Sequence, residues 1–399
     1  MTTTNKTDKT LRVGIVVPHI FMHRDILPSV IFSPAKSVLS LVSGLQTLGV
    51  EVTLFSPGPI DTSANNITAD LTYFEHELKL RGDTYLSLLK KHPFTFVTLA
   101  RQVQSELIAK AYNMANQNKF DAIHIYTNEE DIALAFAELC QKPTVFTHHD
   151  PFNFLVKYKN TFPKYKDLNW ISISYAQRQS MPADTNWVGN VYHGLDEPEL
   201  TPLKTPSNDY TAYLGRIIQP KGVHLAILAT LKYNQTAKQP LKLKIAGKHY
   251  AGQKDKYWQN SVLPYIDGKN VEYIGFIDTP DQEREFLGNA VSLIMPSLFD
   301  EPFGLVAIEA LACGTPVIGL NSGAIPEVIC HDKIGLIVNK VYAKNGVIDD
   351  IETSALLAKA IAEIGLIERP ACRREYEKRF TAEQMCRNYM GIYRGLLTK

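Results

Sequence analysis

Two glutamates eight positions apart mark the segment 296–329, whose sequence is PSLFDEPFGLVAIEALACGTPVIGLNSGAIPEVI. The first, Glu301, lies in a loop that follows a predicted buried strand ending at Met295. A predicted apolar helix begins after Gly304, and the free N–H groups at its start favour an anion. Gly304 lets the backbone approach a ligand closely. The spacing therefore predicts an anion site at a helix N-terminus, with a carboxylate beside it.

The second glutamate, Glu309, lies inside that helix. On an amphipathic helix, Glu309 would be an ordinary surface residue. Its neighbours, however, are apolar almost all round: Val306, Ile308, Ala310, Leu311 and Ala312. A carboxylate in such a setting needs a hydrogen-bond donor, and the hydroxyls of a ribose would supply one.

Strands and helices alternate along the first half of the chain, which is typical of a mostly parallel sheet. The first predicted strand, Leu11–Val17, is a continuous apolar run of the kind buried on both faces. Further strands are predicted at Val50–Phe55, Ala122–Ile125, Thr144–Thr147, Trp170–Ile173 and Trp187–Tyr192. Helices are predicted from Ser33 to about Gly49 and around Arg101–Asn116, Glu129–Cys140 and Tyr175–Ser180.

Residues 194–210 contain three prolines and several polar side chains, and we interpret them as a linker. Strands are then predicted at Thr211–Leu214, Leu241–Ala246, Val271–Ile274, Val291–Met295, Pro316–Gly319 and Gly335–Val338. The final stretch, Ala371–Leu397, is predicted to be helical only. We therefore expect two α/β halves joined by this linker, with a ligand-binding cleft between them.

The composition is that of an ordinary globular protein, with 45% hydrophobic and 21% charged residues. The 42 basic and 41 acidic residues nearly balance, which argues against binding a nucleic acid through bulk charge. No apolar run is long enough to span a bilayer, and residues 1–10 lack the hydrophobic core of a signal peptide. Five scattered cysteines without a CxxC pair predict a reducing, cytoplasmic location and no structural zinc.

The signatures of several other enzyme classes are absent from the sequence. No GxGxxG follows a predicted strand, and neither GxxxxGK[ST], HExxH nor GxSxG occurs. No two aspartates lie two positions apart, so the Asp-x-Asp pair that holds a metal–nucleotide complex is missing. We therefore expect neither a cofactor nor a metal.

The stretch EPFGLVAIE, followed by ALACGTPVI, resembles the signature of the retaining glycosyltransferases of family four, which have the GT-B fold. The resemblance covers nearly the whole chain and is strongest from about residue 170 to 340. It implies an α/β GT-B architecture of two Rossmann-like domains, 1–193 and 194–375, whose mostly parallel sheets face each other across a cleft. A terminal helix, residues 376–399, would cross back to the N-terminal domain. Five further segments are similar to motifs of that family: Tyr213–Ile217, Pro220–Val223, Leu243–Gly247, Val271–Gly275 and Val191–Asp196.

This resemblance implies a donor site in the C-terminal domain. Arg216 and Lys221 would hold the donor's diphosphate, because fixed cations stabilise the negative charge that grows as the glycosidic bond breaks. Glu309 would bind the ribose hydroxyls, and Glu301 would contact the sugar and stabilise its positive, oxocarbenium-like centre. Two further sets are implied, namely Phe303, Gly304 and Leu305 for phosphate or sugar, and Gly275, Phe276 and Ile277 beside the base. Taken alone, Arg216 and Lys221 would be solvated loop cations and Phe276 a core residue.

In the first domain, the predicted strand ending at Thr147 is followed by two histidines, and this resembles the family's Thr-x-His. The resemblance assigns the functional position to His149, which would contact the donor sugar or the reacting centre. We interpret His148 as structural or exposed. His124, at the end of another predicted strand, either lines the acceptor pocket or has no such role.

Two segments leave questions open. Residues 32–35, Phe-Ser-Pro-Ala, stand where the family usually has Gly-Gly-x-Glu, so this loop contacts the donor differently or contributes less, and Lys36 could supply charge instead. Residues 152–170, FNFLVKYKNTFPKYKDLNW, interleave four lysines with aromatics. They form either a membrane-surface or lipid-acceptor patch or a solvated loop with core aromatics.

The resemblance thus implies a retaining, metal-independent glycosyltransferase that moves a sugar from a nucleotide-sugar donor to a hydroxyl acceptor. Family frequency favours UDP as the nucleotide, and the acceptor would be a sugar, a lipid-linked molecule or another small molecule. The glutamate pair argues against another GT-B enzyme, such as a sugar-nucleotide epimerase or a phosphorylase. The altered loop at 32–35 keeps a non-catalytic sugar-nucleotide-binding protein open. The donated sugar, the linkage and the oligomeric state are not determined by the sequence.

Overall fold

The computed structural model of the protein describes residues 10–30, 32–126, 131–196, 198–249 and 255–398. The chain divides into two compact units. The first contains residues up to Ile173 together with Arg178–Gly194 and the C-terminal residues from Ala382. The second contains Ser174–Gln177 and Leu195–Thr381.

The first unit is built on a seven-stranded sheet in which every pairing is parallel. Its strand order, β3-β2-β1-β4-β5-β6-β7, is that of a doubly wound fold, which reverses between the first and fourth strands. The strands are β1 (Arg12–Val16), β2 (Glu51–Ser56), β3 (Asn65–Thr68), β4 (Ala122–Tyr126), β5 (Thr144–Thr147), β6 (Asn169–Ser172) and β7 (Trp187–Asn190).

Both faces of this sheet are buried, which explains the continuous apolar run of β1. Val13 and Ile15 belong to one hydrophobic core, whereas Val16 belongs to the other. The helices of this unit are α1 (Ser33–Thr47), α2 (Thr72–Arg81), α3 (Tyr85–Lys91), α4 (Pro93–Asn116), α5 (Asp131–Ala135), α6 (Val156–Thr161) and the C-terminal α13 (Ala382–Leu397). Short 3₁₀ turns lie at Leu27–Ser29, Ala137–Leu139, Phe162–Tyr165 and Ala176–Ser180.

The second unit repeats the doubly wound design with six parallel strands in the order β10-β9-β8-β11-β12-β13. The strands are β8 (Tyr210–Leu214), β9 (Lys242–Ala246), β10 (Val271–Gly275), β11 (Ser292–Met295), β12 (Val317–Leu320) and β13 (Gly335–Val338). The helices are α7 (Val223–Asn234), α8 (Pro280–Gly288), α9 (Leu305–Ala312), α10 (Ile325–Val328), α11 (Asp350–Glu363) and α12 (Arg369–Arg379). Single turns of 3₁₀ or π helix lie at Gln219–Lys221, Trp258–Val262, Leu263–Tyr265 and Ile364–Leu366.

The expected α/β class with parallel sheets is confirmed, and the predicted strands are present within one or two residues at each end. Strand β3 is not among the predicted strands, because its polar residues NNIT carry no strand pattern. The terminal stretch is two helices, α12 and α13, interrupted at Phe380 and Thr381. The predicted helix at Glu129–Cys140 is α5 followed by a 3₁₀ turn, and its start lies outside the described residues. None of the helices within the described ranges has the length and apolar content needed to cross a membrane.

Candidate active site

The candidate donor residues of the second unit lie where two neighbouring strands end. Strands β8 and β11 pair with each other in parallel, so their carboxyl ends lie at the same edge of the sheet. The strand order reverses between them. Ligands of doubly wound proteins bind at such a switch point, outside the carboxyl ends of the strands. The loop after β8 carries Arg216 and Lys221, and the loop after β11 carries Glu301.

The two loops meet in a short ion pair. The Lys221 ammonium lies 2.6 Å from a carboxylate oxygen of Glu301. The same oxygen accepts a hydrogen bond of 2.5 Å from the Ser297 hydroxyl. Glu301 is only 5% exposed, and a carboxylate removed from water needs such partners. The Lys221 Nζ also lies 4.8 Å from the ring centroid of Phe299, within reach of a cation–π interaction.

Close backbone packing holds the loops together. Gly222 has a positive φ of 70°, and a Cβ at this position would lie 2.0 Å from the carbonyl oxygen of Pro296. Only glycine fits both the conformation and the space. The backbone N–H of Leu298 donates to the carbonyl of Pro220 at 2.8 Å. The approach of the two loops, and therefore the ion pair, depends on this contact.

The predicted anion-binding turn lies at the start of α9. Gly304 is the N-cap of this helix, with φ of 103° in the left-handed region. Phe303 is buried and packs its ring edge-on against Phe380, with 6.1 Å between the centroids. Leu305 begins the helix, and Glu309, one turn further, is buried at 8% exposure. The predicted glutamate pair thus lies in one strand–loop–helix unit.

The remaining donor candidates are more exposed. Arg216 is exposed, and its side chain forms no hydrogen bond or ion pair with the described residues. Its backbone is fixed, because the Tyr213 hydroxyl donates to the Arg216 carbonyl at 2.8 Å. Phe276 follows β10 and is 46% exposed, so it is not a core residue. The Lys248 Nζ lies 3.7 Å from its ring centroid.

A groove of about 530 Å³ adjoins the predicted base-binding residues. Phe276 and Ile277 line it together with residues of α8 and the start of β8. Its lining does not include Lys221 or Glu301. Gly275 belongs to β10, and its carbonyl accepts from the Gly247 N–H at 2.7 Å. The structure therefore does not bring the groove and the ion pair together into a single pocket.

In the first unit, His149 lies two residues after the carboxyl end of β5. Its ring packs on Tyr126, with centroids 4.3 Å apart, and is stacked on His193 at 5.2 Å. It is 9% exposed, and burial lowers its pKa well below the ordinary value. Its Nε2 has no hydrogen-bond partner among the described residues. The ring is therefore neutral at pH 7 and keeps one nitrogen available.

The two other histidines considered as candidates, His124 and His148, have structural roles. His124 is fully buried, with Nδ1 2.7 Å from the Tyr393 hydroxyl and Nε2 2.8 Å from the Thr147 hydroxyl. The suggestion that it lines an acceptor pocket is wrong, because both ring nitrogens are used inside the core. His148 is also fully buried and packs against Phe152, Tyr158 and Phe162.

The segment 152–170 contains both buried and exposed apolar side chains. Four of its aromatic residues are buried in the core, namely Phe152, Tyr158, Phe162 and Trp170. The three consecutive apolar residues Phe154, Leu155 and Val156 are exposed by 59%, 41% and 79%. In the altered loop at 32–35, Phe32 stacks on His19 at 4.5 Å, and the neighbouring Lys36 is exposed.

Sequence reasoning missed three residues around Glu301. Ser297 donates to its carboxylate, while Ser322 and Lys340 hold the loop that carries it. No motif or spacing identifies them, because each is recognised only by its contact across the fold. Among the described residues, no group of three His, Cys, Asp or Glu side chains is placed to hold a metal ion.

Two family models match the chain. The model described as Glycosyltransferase Family 4 matches residues 35–183, and the model described as Glycosyl transferases group 1 matches residues 202–364. Among solved structures, sucrose-phosphate synthase from Thermosynechococcus elongatus aligns with a TM-score of 0.70 at 17% identity, covering 97% of this chain and 99% of that one. Anabaena HepE in complex with UDP and glucose aligns with a TM-score of 0.62 at 16% identity, covering 95% and 98%.

Curated relatives match over shorter stretches. An alpha-maltose-1-phosphate synthase of Mycolicibacterium smegmatis is 29% identical over 50% of this chain and 52% of its own. A lipopolysaccharide 1,2-N-acetylglucosaminetransferase of Salmonella typhimurium is 32% identical over 35% and 37%. The alignments with the first curated relatives span about a third to a half of their length. With family matches in both units and GT-B neighbours over nearly its full length, the chain belongs to the glycosyltransferases of the family-four type.

Proposed function

We propose that the protein is a retaining glycosyltransferase that moves a sugar from a UDP-sugar to a hydroxyl acceptor without a metal ion. The observation that carries this proposal is the Lys221–Glu301 ion pair at the switch point of the second unit. It brings a cation suited to a diphosphate to within 2.6 Å of a buried carboxylate suited to a sugar. That juxtaposition matches the residue roles implied by the family signature.

In the proposed reaction, the bond between the anomeric carbon of the sugar and the diphosphate oxygen breaks, and a bond to the acceptor oxygen forms on the same face. The departing diphosphate oxygen takes the acceptor's proton. Lys221 and Arg216 stabilise the charge that develops on the diphosphate, so that no metal is required. Glu301 stabilises the positive sugar centre, Glu309 holds the ribose, and the turn at 303–305 meets the phosphate or sugar through its N–H groups. His149 contacts the sugar as a neutral ring.

UDP is proposed as the nucleotide because similar folds bind it. The Anabaena protein HepE has been crystallised with UDP and with UDP-glucose. In this chain, Gly275, Phe276 and Ile277 would lie beside the base, and the exposure of Phe276 supports this assignment. The acceptor is a hydroxyl of a sugar, a lipid-linked molecule or another small molecule.

The experiment that tests the proposal measures UDP release from UDP-sugars with and without candidate acceptors, and determines the anomeric configuration of the product by NMR. We expect release only with an acceptor, retained configuration and unchanged rates in EDTA. Glu301→Gln should reduce transfer at least about 100-fold, the scale expected when a charge-stabilising group is removed. UDP affinity should not fall, because Lys221 then has no competing carboxylate. Glu272→Gln, which affects a surface ion pair with Lys242, is the matched control.

Other outcomes would separate the remaining alternatives. Turnover of UDP-sugar without any acceptor would indicate an epimerase or another GT-B enzyme. Binding of UDP-sugar without turnover, over a wide range of acceptors, would indicate a sugar-nucleotide-binding protein. Near-normal transfer by Glu301→Gln would show that Glu301 is not a catalytic residue.

We further propose a cytoplasmic protein that contacts the membrane surface through residues 152–170. The exposed run Phe154, Leu155 and Val156 is followed by Lys157 and Lys159, so apolar and cationic side chains lie side by side. Such a combination suits an anionic lipid surface, where apolar residues enter the interface and lysines meet the headgroups. The cytoplasmic location rests on the five cysteines, all of which are free thiols.

A further inference from the structure

Two side chains outside the family signature hold the loop that carries Glu301. Lys340 follows β13, and its Nζ donates to the carbonyl of Leu298 and to the hydroxyl of Ser322, each at 2.8 Å. The Ser322 hydroxyl in turn donates to the carbonyl of Phe299 at 2.6 Å. One ammonium and one hydroxyl therefore fix two consecutive carbonyls of the loop.

Leu298 and Phe299 belong to the loop that joins β11 to α9. Backbone hydrogen bonds also hold this loop near its start and at Glu301. At its start, the Leu298 N–H donates to Pro220 in the loop of Lys221. At its end, the Ala324 N–H donates to the carbonyl of Glu301 at 2.8 Å. Lys340 completes the set from a third loop, the one after β13. The position of the Glu301 carboxylate therefore depends on all three loops at this edge of the sheet.

Lys340 is half-buried, and burial lowers the pKa of its ammonium, whereas the nearby charge of Asp300 raises it. Ordering a lysine side chain and removing it from water both cost free energy. The hydrogen bonds to Leu298 and Ser322 offset this cost only while the loop keeps its present path. Ser322 is 2% exposed, so water cannot easily replace the ammonium as its partner.

We propose that Lys340 is a positioning residue for the transfer reaction. Acting through Ser322 and two loop carbonyls, it keeps the Glu301 carboxylate aligned with the Lys221 ammonium, without itself touching the donor. The proposal rests on the proposed function, because it assigns Glu301 to the reacting sugar. A displacement of about 1 Å at such a group can slow a reaction as much as 100-fold.

The test compares Lys340→Met, Lys340→Arg and Ser322→Ala with Lys344→Met, which changes an exposed lysine four positions further along the chain. We expect Lys340→Met to lower kcat about 10- to 100-fold, with the UDP dissociation constant and the donor KM within about threefold of wild type. Lys340→Arg should restore most of kcat, because it keeps a cationic donor. The Lys340→Met/Ser322→Ala double variant should be about as slow as the slower single variant, since both act through one network.

The inference fails if Lys340→Met keeps kcat within about twofold of wild type. It also fails if the fall in kcat equals the fall in the amount of folded protein and Lys340→Arg does not restore that amount. A crystal structure of Lys340→Met gives a readout that does not depend on activity. A displaced 297–301 loop supports the inference, and an unmoved loop overturns it. If wild-type protein neither binds UDP nor transfers a sugar, the proposed function fails, while the loop position still decides the structural role of Lys340.

Discussion

At the scale of single residues, the ion pair of Lys221 and Glu301 gives each side chain a partner that a donor would replace. In the proposed reaction, the diphosphate would offer Lys221 two or more anionic oxygens, and the sugar would offer Glu301 hydroxyls and a developing positive charge. The Ser297 hydroxyl donates to the same carboxylate oxygen of Glu301 at 2.5 Å. The site is therefore charged and preorganised, which is the condition for electrostatic stabilisation of a transition state.

Replacing Lys221 tests whether its side chain binds the diphosphate of the donor. We expect Lys221→Met to weaken UDP binding about 10- to 100-fold, because a hydrogen bond to a charged group contributes about 1.5–3 kcal/mol. Isothermal titration calorimetry with UDP measures this directly. Lys242→Met, which breaks the surface pair with Glu272 on the same sheet, should leave UDP affinity unchanged. Equal affinities in the Lys221 variant and wild type would place the diphosphate elsewhere.

At the scale of elements, the buried His124 connects two strands of the first unit to helix α13. Through Tyr393, His124 of β4 is hydrogen-bonded to α13, and through Thr147 it is hydrogen-bonded to β5. Burial lowers the pKa of His124 to about 3 and that of His193 to about 4. Burial is also the main reason that His149 has a pKa well below the ordinary value. All three rings are neutral in the folded protein at pH 7.

These lowered pKa values predict that the first unit loses stability in mild acid. Below about pH 6.5 the unfolded chain binds protons that the folded unit excludes, so the free energy of unfolding falls as pH falls. Each histidine adds a slope of up to about 1.4 kcal/mol per pH unit, until pH approaches its folded-state pKa. Hydrogen exchange of β4, β5 and α13 between pH 7 and pH 5 measures the loss.

The matched pair for this prediction is His124→Asn and His76→Asn. His124→Asn removes one titrating group, so its stability should depend less steeply on pH than that of wild type. His76 is exposed on α2, and its substitution is the control for replacing a histidine with asparagine outside the core. Equal slopes in wild type and His124→Asn would show that His124 is not excluded from protonation by the fold.

At the scale of the whole molecule, exposed apolar and cationic side chains on the first unit predict that it binds anionic membranes. Phe154 and Val156 are among its exposed large apolar residues, and α6 begins at Val156. Lys157 lies 4.0 Å from Asp131, which also pairs with Arg101 of α4. Arg101 lies one turn beyond the 52% exposed Val97 on the same helix, so α4 also carries a cationic and an exposed apolar side chain one turn apart.

We expect wild-type protein to cosediment with phosphatidylglycerol vesicles at low salt and much less with phosphatidylcholine vesicles. The Phe154→Ser/Val156→Ser double variant should bind at least about tenfold more weakly, because burying each side chain contributes about 1.5–3 kcal/mol. Leu366→Ser removes a similarly exposed leucine of the second unit and is the control. Absence of wild-type binding to either vesicle would refute the membrane contact.

The sequence by itself determined the α/β class with mostly parallel sheets, because buried parallel strands appear in it as short apolar runs separated by helical patterns. It also identified the strand–loop–helix unit of Glu301 and Glu309, since both residues lie within nine consecutive positions. Spacing along the chain is enough to show that two residues belong to the same local unit. The polar strand β3 was not predicted, because its pairing with β2, rather than its own residues, makes it a strand.

The tertiary structure alone decided which side chains meet. Lys221 and Glu301 are 80 positions apart, and Lys340 reaches Leu298 across 42. The order of strands in the sheet sets these contacts, and a parallel sheet brings its loops to one edge whatever their separation in the chain. Burial likewise decided that His124 is a core residue while Phe276 is exposed, because burial is a property of packed neighbours rather than of residue type.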